Sequence, residues 1–91
     1  MLLETLALNP VVMLNRAVAT AMAYGPQAGL RLLAPLAGDR GLAAYHRFHA
    51  VRGHLHEMAG QAGPARRAYQ AALALCENET ERRYLARLCA S

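Results

Sequence analysis

Residues 53–72, GHLHEMAGQAGPARRAYQAA, constrain the fold of this chain more than any other stretch. Gly60 divides the stretch into two segments of helix-forming residues, and glycine readily adopts the left-handed conformation that ends a helix. Small residues on both sides of that glycine allow two helices to approach closely, and an aromatic ring fills the space between them. The stretch therefore predicts a hairpin of two antiparallel helices. Its predicted packing residues are Gly53, Gly60, Ala65, Tyr69 and Ala72.

The composition favours helices in the rest of the chain as well. The 91 residues are 55% hydrophobic, with four Tyr, one Phe and no Trp, and they show no sustained alternation of apolar and polar residues. Such alternation is typical of half-buried strands, and a chain of this length has room for one modest core. We predict an all-α fold of about five to six helices that forms a single domain over residues 1–91.

Proline, glycine and capping residues indicate where the helices begin and end. The predicted helices cover residues 1–8, 10–24, 26–37, 42–59 and 62–76, and a last one follows Asn78. Pro35 is expected to kink or shorten the third helix, because a proline inside a helix removes a backbone hydrogen bond. Residues 38–41 are predicted to form a loop. Asn78 and Glu81 have the spacing of a capping box.

Two residues, Asn15 and Tyr69, are predicted to stabilise the fold through buried side chains. Asn15 is expected to hydrogen-bond the backbone across a helix crossing, so that its replacement by alanine leaves a buried partner unsatisfied. Tyr69 is expected to be largely buried and to anchor its helix against the helices before and after it.

No set of residues indicates catalysis. Serine occurs once, at Ser91, and Asp39 is the sole aspartate. His46, His49 and His56 share one face of a helix, but protein zinc sites need three or four converging ligands. At 1.5 Å per residue, His49 and His56 lie about 10 Å apart along the helix axis. We therefore predict that the chain is not an enzyme and holds no metal or cofactor.

The basic residues suggest a partner of opposite charge. All ten are arginine, and the net charge is +4. Five of them are predicted to form a basic face toward an acidic partner, the alternative being a solvated surface: Arg66, Arg67, Arg82, Arg83 and Arg87. They do not reach the density of nucleic-acid-binding segments, so no direct nucleic-acid contact is expected.

Cysteine use and hydropathy predict a cytoplasmic protein. Cys76 and Cys89 are expected about 20 Å apart on antiparallel helices, which is too far for a disulfide. We interpret both as small apolar residues of a protein in a reducing compartment. The sequence shows no basic leader and no apolar run long enough to span a membrane.

A repeat is visible in the sequence. Gly25 and Gly60 lie 35 residues apart, and each is followed by a proline and an Ala/Leu-rich helix. Self-similarity near this period is typical of helical repeat arrays. The second copy, Gly53-x6-Gly60-x4-Ala65-x3-Tyr69-x2-Ala72, resembles the tetratricopeptide repeat. We therefore expect the antiparallel hairpins to stack as a short tetratricopeptide-like array.

The resemblance to that repeat is incomplete in the helix over residues 42–59. The large residues that the first helix of the repeat usually carries fall on His49, Arg52 and His56. They lie one position away from the apolar stripe of this helix, which consists of Ala44, Phe48, Val51, Leu55 and Met58. Either this helix is rotated in its packing or it is buried on two sides. Both alternatives argue against a peptide-binding groove of the usual kind.

Nearly the whole chain is similar to the C-terminal tetratricopeptide-like extension of one group of extracytoplasmic-function (ECF) RNA polymerase sigma factors. The most distinctive segment is NPVVMLNRAVATAMAYGPQAGLRLL, residues 9–33. The matching pieces are residues 10–12, 14–19, 25–26, 28–30, 65–73 and 78–82. This resemblance implies a protein-interaction module that binds the sigma regions of its parent chain, RNA polymerase or a regulator.

The two sigma regions that bind promoter DNA and core polymerase are absent from the sequence. The chain is therefore expected to be a segment of a larger sigma factor. A free-standing tetratricopeptide adaptor unrelated to transcription is the alternative.

Residues 1–8, MLLETLAL, are expected to pack against a second copy of the chain. Their leucines present more apolar surface than the next helix alone can cover, and each buried leucine contributes about 1.5–3 kcal/mol. We predict a homodimer in which this segment packs across the interface or is exchanged between protomers. The alternative is a monomer with a frayed N-terminus.

Overall fold

The structure, a computed structural model, describes residues 10–90 and is helical throughout. The α-helices are α1 Pro10–Tyr24, α2 Pro26–Leu33, α3 Arg40–Ala43, α4 His46–Met58, α5 Ala62–Leu75 and α6 Glu79–Ala90, and a 3₁₀ helix covers Ala34–Gly38. Between residues 10 and 90 there is no strand, so the predicted all-α fold is confirmed. The predicted helix over residues 1–8 and the dimer built on it lie outside the described residues.

Two helical hairpins make up most of the structure. Helices α1 and α2 pack along each other after a turn at Gly25, and α4 packs along α5 after a turn through Gly60. Both glycines have positive φ, +101° and +76°, which side chains with a Cβ rarely adopt. The second hairpin stacks on the first because α4 contacts both α1 and α2, and α6 then packs on α5. The elements thus form a short array of antiparallel hairpins.

The first hairpin is closed by small residues. A Cβ atom at Gly29 of α2 would lie 2.7 Å from the backbone oxygen of Ala17 and 2.9 Å from Cβ of Ala21. Both alanines are buried on α1. The two helices therefore approach until their backbones nearly touch, which leaves no room for an aromatic residue at this crossing.

The second hairpin is closed by an aromatic ring against a glycine. A Cβ atom at Gly53 of α4 would lie 2.7 Å from Cδ1 and Cε1 of Tyr69. Tyr69 is 3% exposed, as predicted, and its hydroxyl donates to Glu57 Oε1 at 2.9 Å. Ala65 and Ala72 are buried on the same face of α5. Four of the five predicted packing residues therefore lie where α4 packs on α5, and the fifth, Gly60, lies in the turn between them.

Helix α4 lies between two hydrophobic clusters. Phe48 and Leu55 belong to the first cluster, with buried residues of α1, α2 and α3. Ala50 packs against the second cluster, which contains Tyr69 and Leu85. The displaced apolar stripe therefore has a simple cause, because α4 is buried on two sides.

Prolines and caps set the other boundaries. Helix α2 ends at Leu33 and continues as the 3₁₀ helix that contains Pro35, so the expected shortening is confirmed. The Asn78 side chain accepts a hydrogen bond from the Glu81 backbone N–H at 2.9 Å, which confirms the predicted N-cap of α6.

The predicted loop over residues 38–41 is wrong. The Asp39 carboxylate accepts a hydrogen bond from the Leu42 backbone N–H at 3.0 Å, and this cap starts the short helix α3. The predicted start of the next helix at residue 42 is wrong as well. Tyr45 has extended backbone angles, φ −96° and ψ 112°, so α4 begins at His46.

Candidate functional site

The first helix of each hairpin and the last helix together form a grooved surface. A depression of about 240 Å³ lies between α1 and α4 and is lined by Val11, Leu14, Asn15, Tyr45, Arg47, Ala50 and Val51. A second depression, of about 160 Å³, lies between α4 and α6 and is lined by His46, Arg47, Ala50, Glu81, Tyr84 and Leu85. The two depressions share Arg47 and Ala50 and so lie next to each other, and together they are called the groove below.

The groove presents apolar side chains around a cation. Val11 is 54% exposed on α1 and Tyr84 is 56% exposed on α6, although both are large hydrophobic residues. The Arg47 side chain projects between them from α4 and is mostly exposed. Aromatic and arginine side chains are the residue types that protein interfaces favour. The surface is therefore chemically suited to a protein partner.

An ion-pair network on α4 and α6 shapes one wall of the groove. Glu81 Oε2 accepts a hydrogen bond from His46 Nε2 at 2.8 Å, and Glu81 Oε1 accepts one from Arg47 Nη2 at 2.9 Å. The hydrogen bond from His46, helped by the charge of Arg47, lowers the pKa of Glu81 below its ordinary value. The network ties α6 to α4 and fixes the orientation of the Arg47 guanidinium.

Sequence reasoning missed this network, because 35 residues separate His46 from Glu81. Glu81 was predicted only as part of the capping box of α6, and its side chain instead reaches across to α4. No local pattern signals such a contact. The contact depends on the packing of α5 along α4, which places the start of α6 beside the start of α4.

The five arginines of the predicted basic face have different environments in the structure. Arg82 Nη1 donates to the backbone oxygens of Leu73 and Cys76, at 2.7 and 2.9 Å, and so satisfies carbonyls at the C-terminal end of α5. Arg82 therefore has a structural role, and its part in binding a partner stays a prediction. The other four are exposed, and their role in partner binding stays a prediction: Arg66, Arg67, Arg83 and Arg87.

The polar residues at the displaced repeat positions, His49, Arg52 and His56, make separate contacts in the structure. His49 Nε2 lies 2.7 Å from the backbone oxygen of Ala43, and His56 Nδ1 lies 2.7 Å from Gln61 Oε1. Arg52 packs over the ring of Phe48 at 5.7 Å. These three residues therefore stabilise the ends and the inner side of α4.

The buried role predicted for Asn15 is wrong. Its side chain is exposed and borders the first depression of the groove. Two small residues of α1, Ala17 and Ala21, occupy the crossing with α2 instead, and a polar side chain has no place between them.

None of the helices between residues 10 and 90 has the length and apolar character needed to cross a membrane.

Comparison with known proteins shows that the chain is similar to part of a longer protein. Over 83 residues, 91% of the chain, it is 45% identical to an uncharacterized protein of Rhizobium meliloti (strain 1021). The aligned segment makes up 19% of that protein, so the chain spans about a fifth of the length of this relative. No protein-family model matches the chain. No solved structure matches it.

Proposed function

We propose that this chain is a protein-interaction module of an ECF-type RNA polymerase sigma factor, which contributes to transcription initiation or its regulation without reading promoter DNA. The observation that carries the proposal is the groove along α1, α4 and α6, where Val11, Arg47 and Tyr84 are exposed together. A helical array with an apolar groove is suited to binding protein surfaces.

Two sequence properties support the sigma-factor part of the proposal. The segments that resemble the sigma-factor extension include residues 10–12 of α1 and residues 78–82 at the start of α6. In the Rhizobium relative, the similar segment is a minor part of a longer chain, as a module that follows sigma regions would be. Such a module would act in the cytoplasm, beside RNA polymerase.

The proposed partners are the sigma regions of the parent chain, core RNA polymerase or a regulator of either. The net charge of +4 favours partners with an acidic surface. Exposed Arg47 and Tyr84 are the residues we expect to contribute most to binding.

The test is a binding assay with the immobilised 91-residue chain. Separately expressed sigma regions and core polymerase from the source bacterium are passed over it in two arms. Retention of either supports the proposal, and the retained arm identifies the partner. Retention of neither would overturn direct binding to the sigma regions or core polymerase, and would leave a regulator or a role outside transcription.

A variant pair locates the binding surface. Tyr84→Ala removes an exposed ring that lines the groove, and we expect it to weaken binding about tenfold or more, as truncation of an interface aromatic commonly does. Tyr24→Ala is the matched control, because Tyr24 is 82% exposed and does not line the groove. Equal affinity of the Tyr84→Ala variant and the parent would exclude the groove as the binding surface.

A further inference from the structure

Although the sequence alone predicts no metal site, we propose that His46, Cys76 and Glu81 form a zinc-binding site that joins three helices. His46 is the first residue of α4, Cys76 directly follows α5, and Glu81 lies in the first turn of α6. One ligand atom from each residue, an imidazole nitrogen, a sulfur and a carboxylate oxygen, lies within 4.8 Å of the other two. The fold therefore brings His46 to two other zinc ligands, Cys76 and Glu81, that lie 30 or more residues further along the chain.

Two of the three distances between these atoms lie close to those that a single zinc ion requires. With bonds near 2.0 Å to nitrogen and oxygen and 2.3 Å to sulfur, tetrahedral zinc holds its ligand atoms roughly 3.3–3.6 Å apart. Cys76 Sγ lies 3.8 Å from Glu81 Oε2, close to that spacing. His46 Nε2 and Glu81 Oε2 are 2.8 Å apart because they share a hydrogen bond. Replacing the shared proton by a metal ion requires them to separate by about half an ångström.

Neighbouring groups already orient the ligands. Arg47 holds the second oxygen of Glu81 at 2.9 Å, which leaves Oε2 directed at His46 and Cys76. Partners in the surrounding shell that hold a ligand in place are a regular property of metal sites. His46 and Glu81 border the groove, so an ion can reach them from solvent, whereas Cys76 is 3% exposed.

The chemical types of the three ligands favour Zn²⁺ over Mg²⁺ and Ca²⁺. A thiolate, an imidazole and a carboxylate together suit Zn²⁺, whereas Mg²⁺ and Ca²⁺ prefer oxygen ligands alone. Three protein ligands leave the fourth position of a tetrahedral ion to water. On binding, the Cys76 thiol releases its proton to solvent, and His46 carries its ring proton on Nδ1 so that Nε2 is free to bind. The bound ion would fasten the end of α5 and the start of α6 to α4.

Cobalt spectroscopy tests the site directly. Co²⁺ adopts the same tetrahedral coordination and gives a near-ultraviolet charge-transfer band when a thiolate binds it. We expect the metal-free 91-residue protein to develop this band on titration with Co²⁺ and to lose it when one equivalent of Zn²⁺ is added. Absence of the band from the parent protein would overturn the proposal, whatever the variants do.

Variants identify the ligands. Cys76→Ser should abolish the band, while Cys89→Ser, which changes the other cysteine, should retain it. His46→Gln keeps a hydrogen-bonding group beside Glu81 but removes the imidazole, and we expect at least a tenfold weaker affinity for Co²⁺. A band that persists in Cys76→Ser, or disappears in Cys89→Ser, would show that the assignment is wrong.

A thermal shift provides a measurement that does not depend on the cobalt band. Zn²⁺ in excess should raise the Tm of the parent and of Cys89→Ser, because an ion that binds only the folded state stabilises it by mass action. The Tm of Cys76→Ser should not rise. Equal shifts in all three proteins would indicate binding at surface histidines and would contradict the proposed site.

Discussion

At the scale of single residues, Tyr69 has two roles in the second hairpin. Its ring fills the space beside Gly53, and its hydroxyl donates a hydrogen bond to Glu57 on α4. Burial, and then this hydrogen bond, raise the pKa of Tyr69 above its ordinary value, so the hydroxyl stays protonated as a donor at all ordinary pH. Tyr69 therefore stabilises the hairpin both through the packing of its ring and through the hydrogen bond of its hydroxyl.

We expect the ring to matter more than the hydroxyl. Tyr69→Ala should reduce the free energy of unfolding by about 3–5 kcal/mol, because it opens a cavity between α4 and α5. Tyr69→Phe should cost about 1 kcal/mol, the net contribution of one hydrogen bond whose acceptor remains exposed to water. Urea denaturation measures both values. A loss in Tyr69→Ala no greater than that in Tyr69→Phe would contradict the packing role.

Adjacent charged residues of α6 also differ in role. Arg82 satisfies carbonyl oxygens at the end of α5, and Glu81 binds His46 and Arg47 of α4. Both side chains therefore connect the first turn of α6 to other helices, and neither is available as a simple surface charge. The amino-acid composition of α6 does not distinguish these two residues from Arg83 and Arg87, which are exposed on the same helix.

At the scale of helices, the two hairpins reach close contact by opposite arrangements. The first places its glycine, Gly29, on the second helix of the pair, against alanines of α1. The second places Gly53 on the first helix, against a tyrosine of α5. The repeat is therefore degenerate in sequence although the hairpins are similar in form.

Both glycines should resist substitution by alanine. A methyl group at Gly29 or Gly53 meets other atoms at 2.7 Å, so either helix must shift, and overpacking of this kind costs about 1–3 kcal/mol. This loss exceeds the gain of up to about 1 kcal/mol from the better helix propensity of alanine. Chemical denaturation of Gly29→Ala and Gly53→Ala measures the difference.

Gly38→Ala is the control for both variants, because Gly38 has negative φ and no heavy atom within 4 Å of a new methyl group. We expect its stability to change by no more than about 0.5 kcal/mol. Equal stability of all three variants would mean that the helices do not cross as closely as described.

At the scale of the whole molecule, α4 couples the two hairpins. Its buried residues Phe48 and Leu55 belong to the cluster shared with α1 and α2, while Gly53 and Ala50 face the cluster of α5 and α6. In helical arrays each unit contacts only its neighbours, so cooperativity depends on the interface between units. Here one helix forms both the interface and half of the second unit.

Truncation in the first cluster should therefore destabilise the whole array. Leu55 is fully buried, and Leu55→Ala should cost about 2–5 kcal/mol. Amide hydrogen exchange should lose protection in α5 as well as in α1, because opening of α4 exposes both clusters. Met22→Ala, at an exposed position of α1, is the control and should leave protection unchanged. Loss of protection confined to α1 and α2 would show that the hairpins open independently.

The helical class and most helix limits follow from the sequence alone, because these depend on local chemistry. Proline at positions 10, 26 and 35, the Asn78 cap and the left-handed Gly60 act within one or two turns of the chain. The buried position of Tyr69 is also predictable, because a tyrosine at a fixed spacing from small residues packs against the opposite helix of a hairpin. The short helix α3 was missed because the single Asp39 cap that starts it competes with two loop-forming glycines.

Contacts between residues of different helices, in contrast, depend on how the helices pack. The groove, the Glu81 bridge and the group formed by His46, Cys76 and Glu81 join residues up to 35 positions apart. Their meeting depends on the crossing of α4 with α5, which Gly53 and Tyr69 control, and on the return of α6 toward α4. Small changes in helix crossing displace distant side chains by several ångströms, and no local pattern in the sequence encodes that displacement.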